Sequence, residues 1–439
     1  MSQPSRRLDK KLDELLQNLP PQYPQMMKEL KAFCRTGKIK TMQDLIRVIL
    51  LYCGMDYSAR DVAGIFTLTD ERITDDAILQ RLAKCTDFLE AMVKHSLKLE
   101  RLPQLPAGRP IYCIDGATIE GLGSEGTAFR LHLCINLLTL QLAQVNVLGA
   151  KIGESLKNYE IVKGALYISD RAYCCYSDIM DLVYDHDADI LTRWNWSVPL
   201  RDAQDPSKII DLEAILKDQE VGSIQSLEVI LKYCDQSKKK DDRQVSGWVH
   251  IYRMDSEQVE AAQRRVKKKH NKKQRPLSRR TLFFSQFVIV FTSLPPSILC
   301  AQDALALYRC RWQVELFIKR LRGSFSISKL RAGLDARCTK AYLYGKLLYV
   351  ILVEKQMDKA FGRGFVSLEP QRKLTAWRPC KLAKALVDAA LLQLQRWRQE
   401  ALAECVEVLQ ERPRLKRKLQ ILPEAVLGGR ARELLELIA

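Results

Sequence analysis

Histidine is scarce in this sequence: there are five among 439 residues, and none stands at zinc-ligand spacing from a cysteine. A zinc site is therefore not suggested. The thirteen cysteines include no CxxC pair. Cys174 and Cys175 are adjacent, and others such as Cys113, Cys134 and Cys300 sit in apolar runs, a pattern of buried thiols in a reducing cytosol. The start, MSQPSRRLDKKLDELLQNLP, lacks the apolar stretch of a signal peptide. The most apolar run, AYLYGKLLYVILVEK, is interrupted by Lys346 and is too short for a clean membrane span. These absences predict a soluble, cytoplasmic protein with no membrane partner. Acidic residues are also in deficit, 52 against 70 Lys and Arg, for a net charge of +18 and a pI near 9.3. Such a balance favours a polyanionic partner, most often nucleic acid. No internal repeat is visible.

The first hundred residues carry apolar residues at helical spacing, as in LDKKLDELL and TMQDLIRVILLYC. Ser58 and Thr74 read as N-caps of two short helices, a helix-turn-helix-like pair. Asp75 and Asp76 open the second helix and would face phosphates poorly, so a plain helical bundle is the alternative. LPQLPAGRP, at 102–110, reads as a linker. Beyond it IYCID, FRLHLCINL and LQLAQVNVL read as strands. ALYIS and ADILTRW are further strands, with a helix, YSDIMDLVYDHD, between them. The order indicates a mixed α/β sheet.

SLEVILKYC, QVSGWVHIYRM and FVIVFTSL add strands between 195 and 300. Among them RRVKKKHNKKQRPLSRR, at 264–280, contains no acid. It reads either as a solvated loop or as a segment that contacts phosphates, through Lys267, Lys268, Lys269, Lys272 and Lys273. KKK at 238–240 could add to it. From 302 to 358 the pattern is that of long helices, and from about 360 it is helical and basic, punctuated by Pro413 and Gly428–Gly429.

Within YRCRWQVELFIKRLR, a continuous helix would put Tyr308, Arg311, Glu315, Lys319 and Arg322 on one stripe. Leu307, Val314, Ile318 and Leu321 would form the opposite, core face. Glu315 taken alone reads as an i,i+4 ion-pair partner. Asp115 ends the strand IYCID and precedes Gly116. Asp170 follows the strand ALYIS and reads either as a turn-forming cap or as a ligand. Three acids in a basic chain suggest a hard divalent cation held by carboxylates. Two such ions about 3.5–4 Å apart serve phosphodiester chemistry.

IDGAT, ISDRAY and Y-x2-R-x3-E, taken together, resemble the DDE transposases of bacterial insertion sequences, in the group with the Tyr-Arg-Glu-Lys signature. The resemblance spans roughly residues 55 to 355. It implies a ribonuclease-H-like α/β core with a mostly β insertion, plus helical regions at both ends. The implied layout is a helical DNA-binding region at 1–105 and the core in two parts, 106–194 and 301–358. The insertion would be 195–300 and the C-terminal helical region 359–439. It also implies that Asp115, Asp170 and Glu315 bind two Mg²⁺ ions, with Mn²⁺ as a substitute. Tyr308, Arg311, Arg171 and Arg193 would hold DNA near the cut. The signature's last Lys is Arg322 here, with Lys319 one turn earlier sharing its role. Where some relatives place a base-stacking Trp, this chain offers only Phe287 and Phe291; Trp194, Trp196 and Trp248 lie elsewhere.

The implied activity is cut-and-paste transposition: metal-dependent cleavage at terminal inverted repeats and strand transfer into target DNA. Synapsis of two ends implies a homodimer in the DNA complex, and the nucleoid as its place of work. The alternatives are a DNA-binding regulator derived from a transposase, or a structure-selective nuclease on the same core.

Overall fold

The structure, a computed structural model, describes residues 6–98, 109–121, 126–137, 139–232, 243–272, 274, 276–331, 335–361 and 377–398. The linker from 102 to 108, KKK at 238–240, Lys273, Pro413 and Gly428–Gly429 lie outside the described residues.

Six helices come first: α1 (Arg6–Leu16), α2 (Tyr23–Glu29), α3 (Met42–Cys53), α4 (Ala59–Thr69), α5 (Asp75–Lys84) and α6 (Thr86–Lys98). Ser58 caps α4 in a capping box: its Oγ accepts from Asp61 N at 3.1 Å, and Asp61 Oδ2 accepts from Ser58 N at 3.0 Å. Thr74 caps α5 by accepting from Ala77 N at 3.3 Å. Arg60 Nε reaches Asp75 Oδ2 at 3.3 Å, so one of the two acids that open α5 is paired with α4.

The sheet begins with β1 (Ile111–Glu120), β2 (Thr127–Asn136) and β3 (Leu142–Gly149), an antiparallel meander. β4 (Leu166–Ser169) then pairs parallel to β1, and β5 (Asp189–Arg193) parallel to β4, with the short α7 (Tyr176–Met180) between them. A three-strand meander whose first strand continues into two parallel neighbours is the ribonuclease-H-like sheet. The segment that follows supplies β6 (Arg201–Asp202), α8 (Leu212–Leu216), β7 (Ile224–Lys232), β8 (Gln244–Arg253), α9 (Ser256–Lys272), α10 (Arg279–Phe284) and β9 (Phe287–Thr292). Its strands prolong the same sheet, which runs β3-β2-β1-β4-β5-β9-β8-β7-β6. Four helices close the described chain: α11 (Ala301–Arg309), α12 (Trp312–Phe325), α13 (Ala336–Phe361) and α14 (Trp377–Leu392).

The alternation of β1 divides the core. Cys113, Ala117 and Ile119 face one cluster, built with α3, α12 and α13; Tyr112 and Ile114 face a second, which includes Tyr167, Trp194 and Phe291. α13 carries the apolar run AYLYGKLLYVILVEK and is buried along most of its length. Lys346, fully buried there, pairs with Asp56 and donates to the Phe325 carbonyl at 2.9 Å. Gly345 lets α13 approach α3: a Cβ would stand 2.7 Å from Cys53 Sγ. Among the described residues, no helix is long and apolar enough to cross a membrane.

Four readings of the sequence need correction. β1 does not end at Asp115 but runs on to Glu120, because β2 pairs with it throughout while β4 leaves it after Cys113. The helix expected through 308–322 breaks: Arg311 N bonds Tyr308 O and Val314 N bonds Arg311 O, the tight i→i−3 pattern of a 3₁₀ step. Glu315 is therefore in the first turn of α12, not mid-helix. The basic segment from 264 to 272 is helical rather than a loop, since α9 extends through it with no buried residue. Phe287 and Phe291 have no exposed surface, so neither can stack a base. Their strand is flanked by β5 and β8 and buried on both sides, which a run such as FVIVFT permits.

Candidate active site

In the parallel pairing of β1 with β4, Cys113 stands beside Ile168. Two residues further along each strand come Asp115 and Asp170, which thus fall side by side on one face of the sheet. β4 has stopped by then, so the pair sits at a notch beyond its end. Asp115 is mostly buried, and burial pushes its carboxyl up to about 6 against the pull of Gly116 N, with Asp170 and Glu154 adding repulsion. Its Oδ1 accepts from Gly116 N at 2.8 Å. Asp170 also does the capping job read in the sequence: Oδ1 accepts from Ala172 N at 2.7 Å, leaving its second oxygen for another partner.

α12 packs on β1 through Val314, Phe317, Ile318 and Leu321. That packing brings Glu315 to the Arg311 guanidinium that also meets Asp115, and a carboxylate in the first turn of a helix sits favourably in its dipole. Arg311 connects the two elements. Nη2 lies 2.5 Å from Glu315 Oε1, and Nη1 lies 3.4 Å from Asp115 Oδ2. Burial works against the charge of this guanidinium, but Tyr308, Glu315 and Asp115 more than restore it. A cation thus already bridges two of the three acids. The donors are carboxylate oxygens, the type that hard divalent ions take, but among the described residues no three such groups gather into a metal site, and Arg311 stands between Asp115 and Glu315.

Around the acids lies an arc of cations. Tyr308, half-buried near the end of α11, senses Arg311, Arg193 and Asp170. Arg193, at the end of β5, donates Nη2 to the Phe287 carbonyl at 3.0 Å and senses Tyr308, Arg171 and Arg311; burial pulls its pKa down to about 10. Its Nε has no partner among the described residues. Arg171 is exposed. Lys319 and Arg322 lie further along α12. Lys319 Nζ covers the half-exposed Trp312 ring at 4.3 Å, and Arg322 Nη2 donates to the Thr118 carbonyl at 3.4 Å. Lys267, Lys268, Lys269 and Lys272 are exposed on α9, which buries no residue. α9 starts at the same end of the sheet: Arg253, which closes β8, pairs with Phe287, and Phe287 O meets Arg193.

Reading the sequence missed several residues at the notch. Tyr159 donates to the Asp115 carbonyl at 3.3 Å and meets the hydroxyl of Tyr173, from ISDRAY, at 3.0 Å. Glu154 lies against Gly116. Neither Tyr159 nor Glu154 falls in a spacing pattern that could have revealed it.

The family model described as "Transposase DDE domain" matches residues 106–344. Transposase InsL of insertion sequence element IS186A, from Escherichia coli (strain K12), is 23% identical over 325 residues, 74% of this chain and 87% of the relative. The transposase for insertion sequence element IS421, from Escherichia coli, is 24% identical over 327 residues, again 74% and 87%. A solved piggyBac transposase synaptic complex with hairpin DNA covers 91% of this chain and 84% of its own at 8% identity, with a TM-score of 0.43. That likeness is too loose to align sites. The family match takes in more than half of the chain and contains Asp115, Asp170 and Glu315 in order: this chain belongs to the transposase DDE domain family.

Proposed function

We propose that this transposase moves an insertion sequence by cut and paste. It cleaves the strands at terminal inverted repeats and joins the freed 3′ hydroxyls to target DNA. The observation that carries the reading is the register of β1 and β4, with Asp115 beside Asp170, joined to Glu315 through Arg311. Enzymes of this family use divalent metal ions. Here Asp115, Asp170 and Glu315 would hold two Mg²⁺ ions, with Mn²⁺ as a substitute. Metal bound at these carboxylates would supply activation of the attacking oxygen and neutralisation of charge at the phosphodiester.

The chain's own residues do the rest. Arg311 and Tyr308 grip the phosphate next to the scissile bond. Arg193 and Arg171 hold the neighbouring phosphates at the ends of β5 and β4. Lys319 and Arg322 extend that track along α12, and Arg322 can take a phosphate bidentately where the family signature has Lys. The lysines of α9, with Lys273, neutralise DNA further from the cut. The helical region 1–105 binds the ends, and two copies pair them in the nucleoid; the core parts 106–194 and 301–358 flank the 195–300 insertion, and 359–439 aids pairing.

The test is a comparison of wild type with Asp115→Ala on DNA carrying the native flanks, in Mg²⁺ and Mn²⁺, with 3′ ends mapped by sequencing. Breaks at the flank boundaries that vanish in the variant support the reading. Binding without cutting in either metal, with paired ends supplied, favours a regulator instead.

A further inference from the structure

The loop after β3 brings a fourth carboxylate to the notch. Glu154 Oε1 lies 2.7 Å from where a Cβ on residue 116 would stand, so the close approach exists because residue 116 is glycine. Gly116 faces away from Asp115 along β1, and Glu154 therefore comes from the opposite side of the strand. The loop is held firmly: Ser155 Oγ and Leu156 N both donate to Asp178 Oδ2, at 2.6 and 3.0 Å.

As a purely structural group, Glu154 is poorly served. Its ion-pair partner among the described residues, Arg130, stands 3.8 Å away, beyond hydrogen-bond reach. Its other charged neighbours, Asp170 and Asp115, repel it. Placing a third acid against two others costs free energy unless a further cation offsets it. From the far side of β1 a direct bond to an ion shared by Asp115 and Asp170 is less natural than a bond to its water. Mg²⁺ keeps several waters, and these need acceptors.

We propose that Glu154 is a positioning residue of the active site, which accepts a hydrogen bond from a water on the divalent ion held by Asp115 and Asp170. The inference rests on the triad reading above. In this arrangement Gly116 is the gap through which the fourth acid reaches that water, and Arg130 is a lateral guide rather than the partner Glu154 exists to neutralise.

The test is Mn²⁺ binding to the full-length, DNA-free protein, followed by electron paramagnetic resonance. Glu154→Gln should weaken Mn²⁺ by about tenfold, the effect typical of losing an outer partner, with thermal melting unchanged or raised. Gly116→Ala should weaken Mn²⁺ similarly by displacing Glu154. Arg130→Gln should leave Mn²⁺ affinity unchanged or tighter. If Glu154→Gln binds Mn²⁺ as wild type does while Asp115→Ala loses it, this proposal is overturned and the triad stands. If Arg130→Gln and Glu154→Gln weaken binding equally, the two residues are only an ion pair. If Asp115→Ala also binds normally, the triad fails, and with it the role given to Glu154.

Discussion

Arg311 Nη1 stands 3.4 Å from Asp115 Oδ2 and so ties the start of α12 to the middle of β1. With Glu315 on its other nitrogen, this guanidinium neutralises two carboxylates that a divalent ion would otherwise have to share. Arg311→Gln should therefore destabilise the metal-free protein by on the order of 1–3 kcal/mol, the cost of stranding a partly buried charge. Added Mn²⁺ should then raise the melting temperature of the variant more than that of wild type. Equal melting temperatures and equal Mn²⁺ responses would show that Arg311 has no such part.

Glu315→Gln keeps the shape of the side chain and its place in the first turn of α12 but removes its charge. Cleavage at the element ends should fall on the order of a hundredfold or more, the scale seen when one preorganised group is lost from an active site. End binding, measured by gel shift, should not change. A variant that still cuts at the wild-type rate would remove Glu315 from the triad.

Much of this site could be read in the sequence, for a physical reason. Asp115, Asp170 and Glu315 lie in short motifs where an acid follows an apolar strand or interrupts a basic helix, and local pattern carries that information. The caps at Ser58 and Thr74 are equally local. What pattern could not carry was the pairing that decides position. IYCID stops looking like a strand at Gly116, yet β1 continues because β2 supplies partners as far as Glu120. The stripe of Tyr308, Arg311 and Glu315 satisfies helical spacing, and only the i→i−3 bonds around Arg311 reveal the break. Lys-rich α9 looks like a loop because it has no apolar stripe to bury. Glu154 and Tyr159 reach Asp115 only through tertiary contacts.

Burial places the Asp115 carboxyl at about 6, above the roughly 3.9 of an unfolded chain. The folded state therefore binds this proton more readily than the unfolded state does. The stability it contributes is fully present below about pH 4 and is lost as pH rises through about 6. Asp115→Asn mimics the protonated form and escapes that loss. In metal-free buffer the two proteins should be alike near pH 4, and by pH 7 the variant should be more stable by roughly 2–3 kcal/mol at most. Urea denaturation at several pH values checks this. Parallel curves for the two proteins would mean that Asp115 is not held up by burial.

α9 leaves the sheet at the active-site end, yet it buries nothing, so its lysines are free to meet phosphate. Each phosphate contact on duplex DNA steepens the dependence of log affinity on log salt by about 0.9. Replacing Lys267, Lys268, Lys269 and Lys272 by Gln should flatten that slope by up to about 3–4 while leaving thermal stability untouched. Cleavage of a short DNA ending close to the cut should suffer less than cleavage of a long one, because a short DNA leaves fewer phosphates for α9 to meet. An unchanged slope would make α9 a solvated helix with no DNA contact. A slope that flattens together with a fall in melting temperature would mean that the lysines stabilise the fold instead.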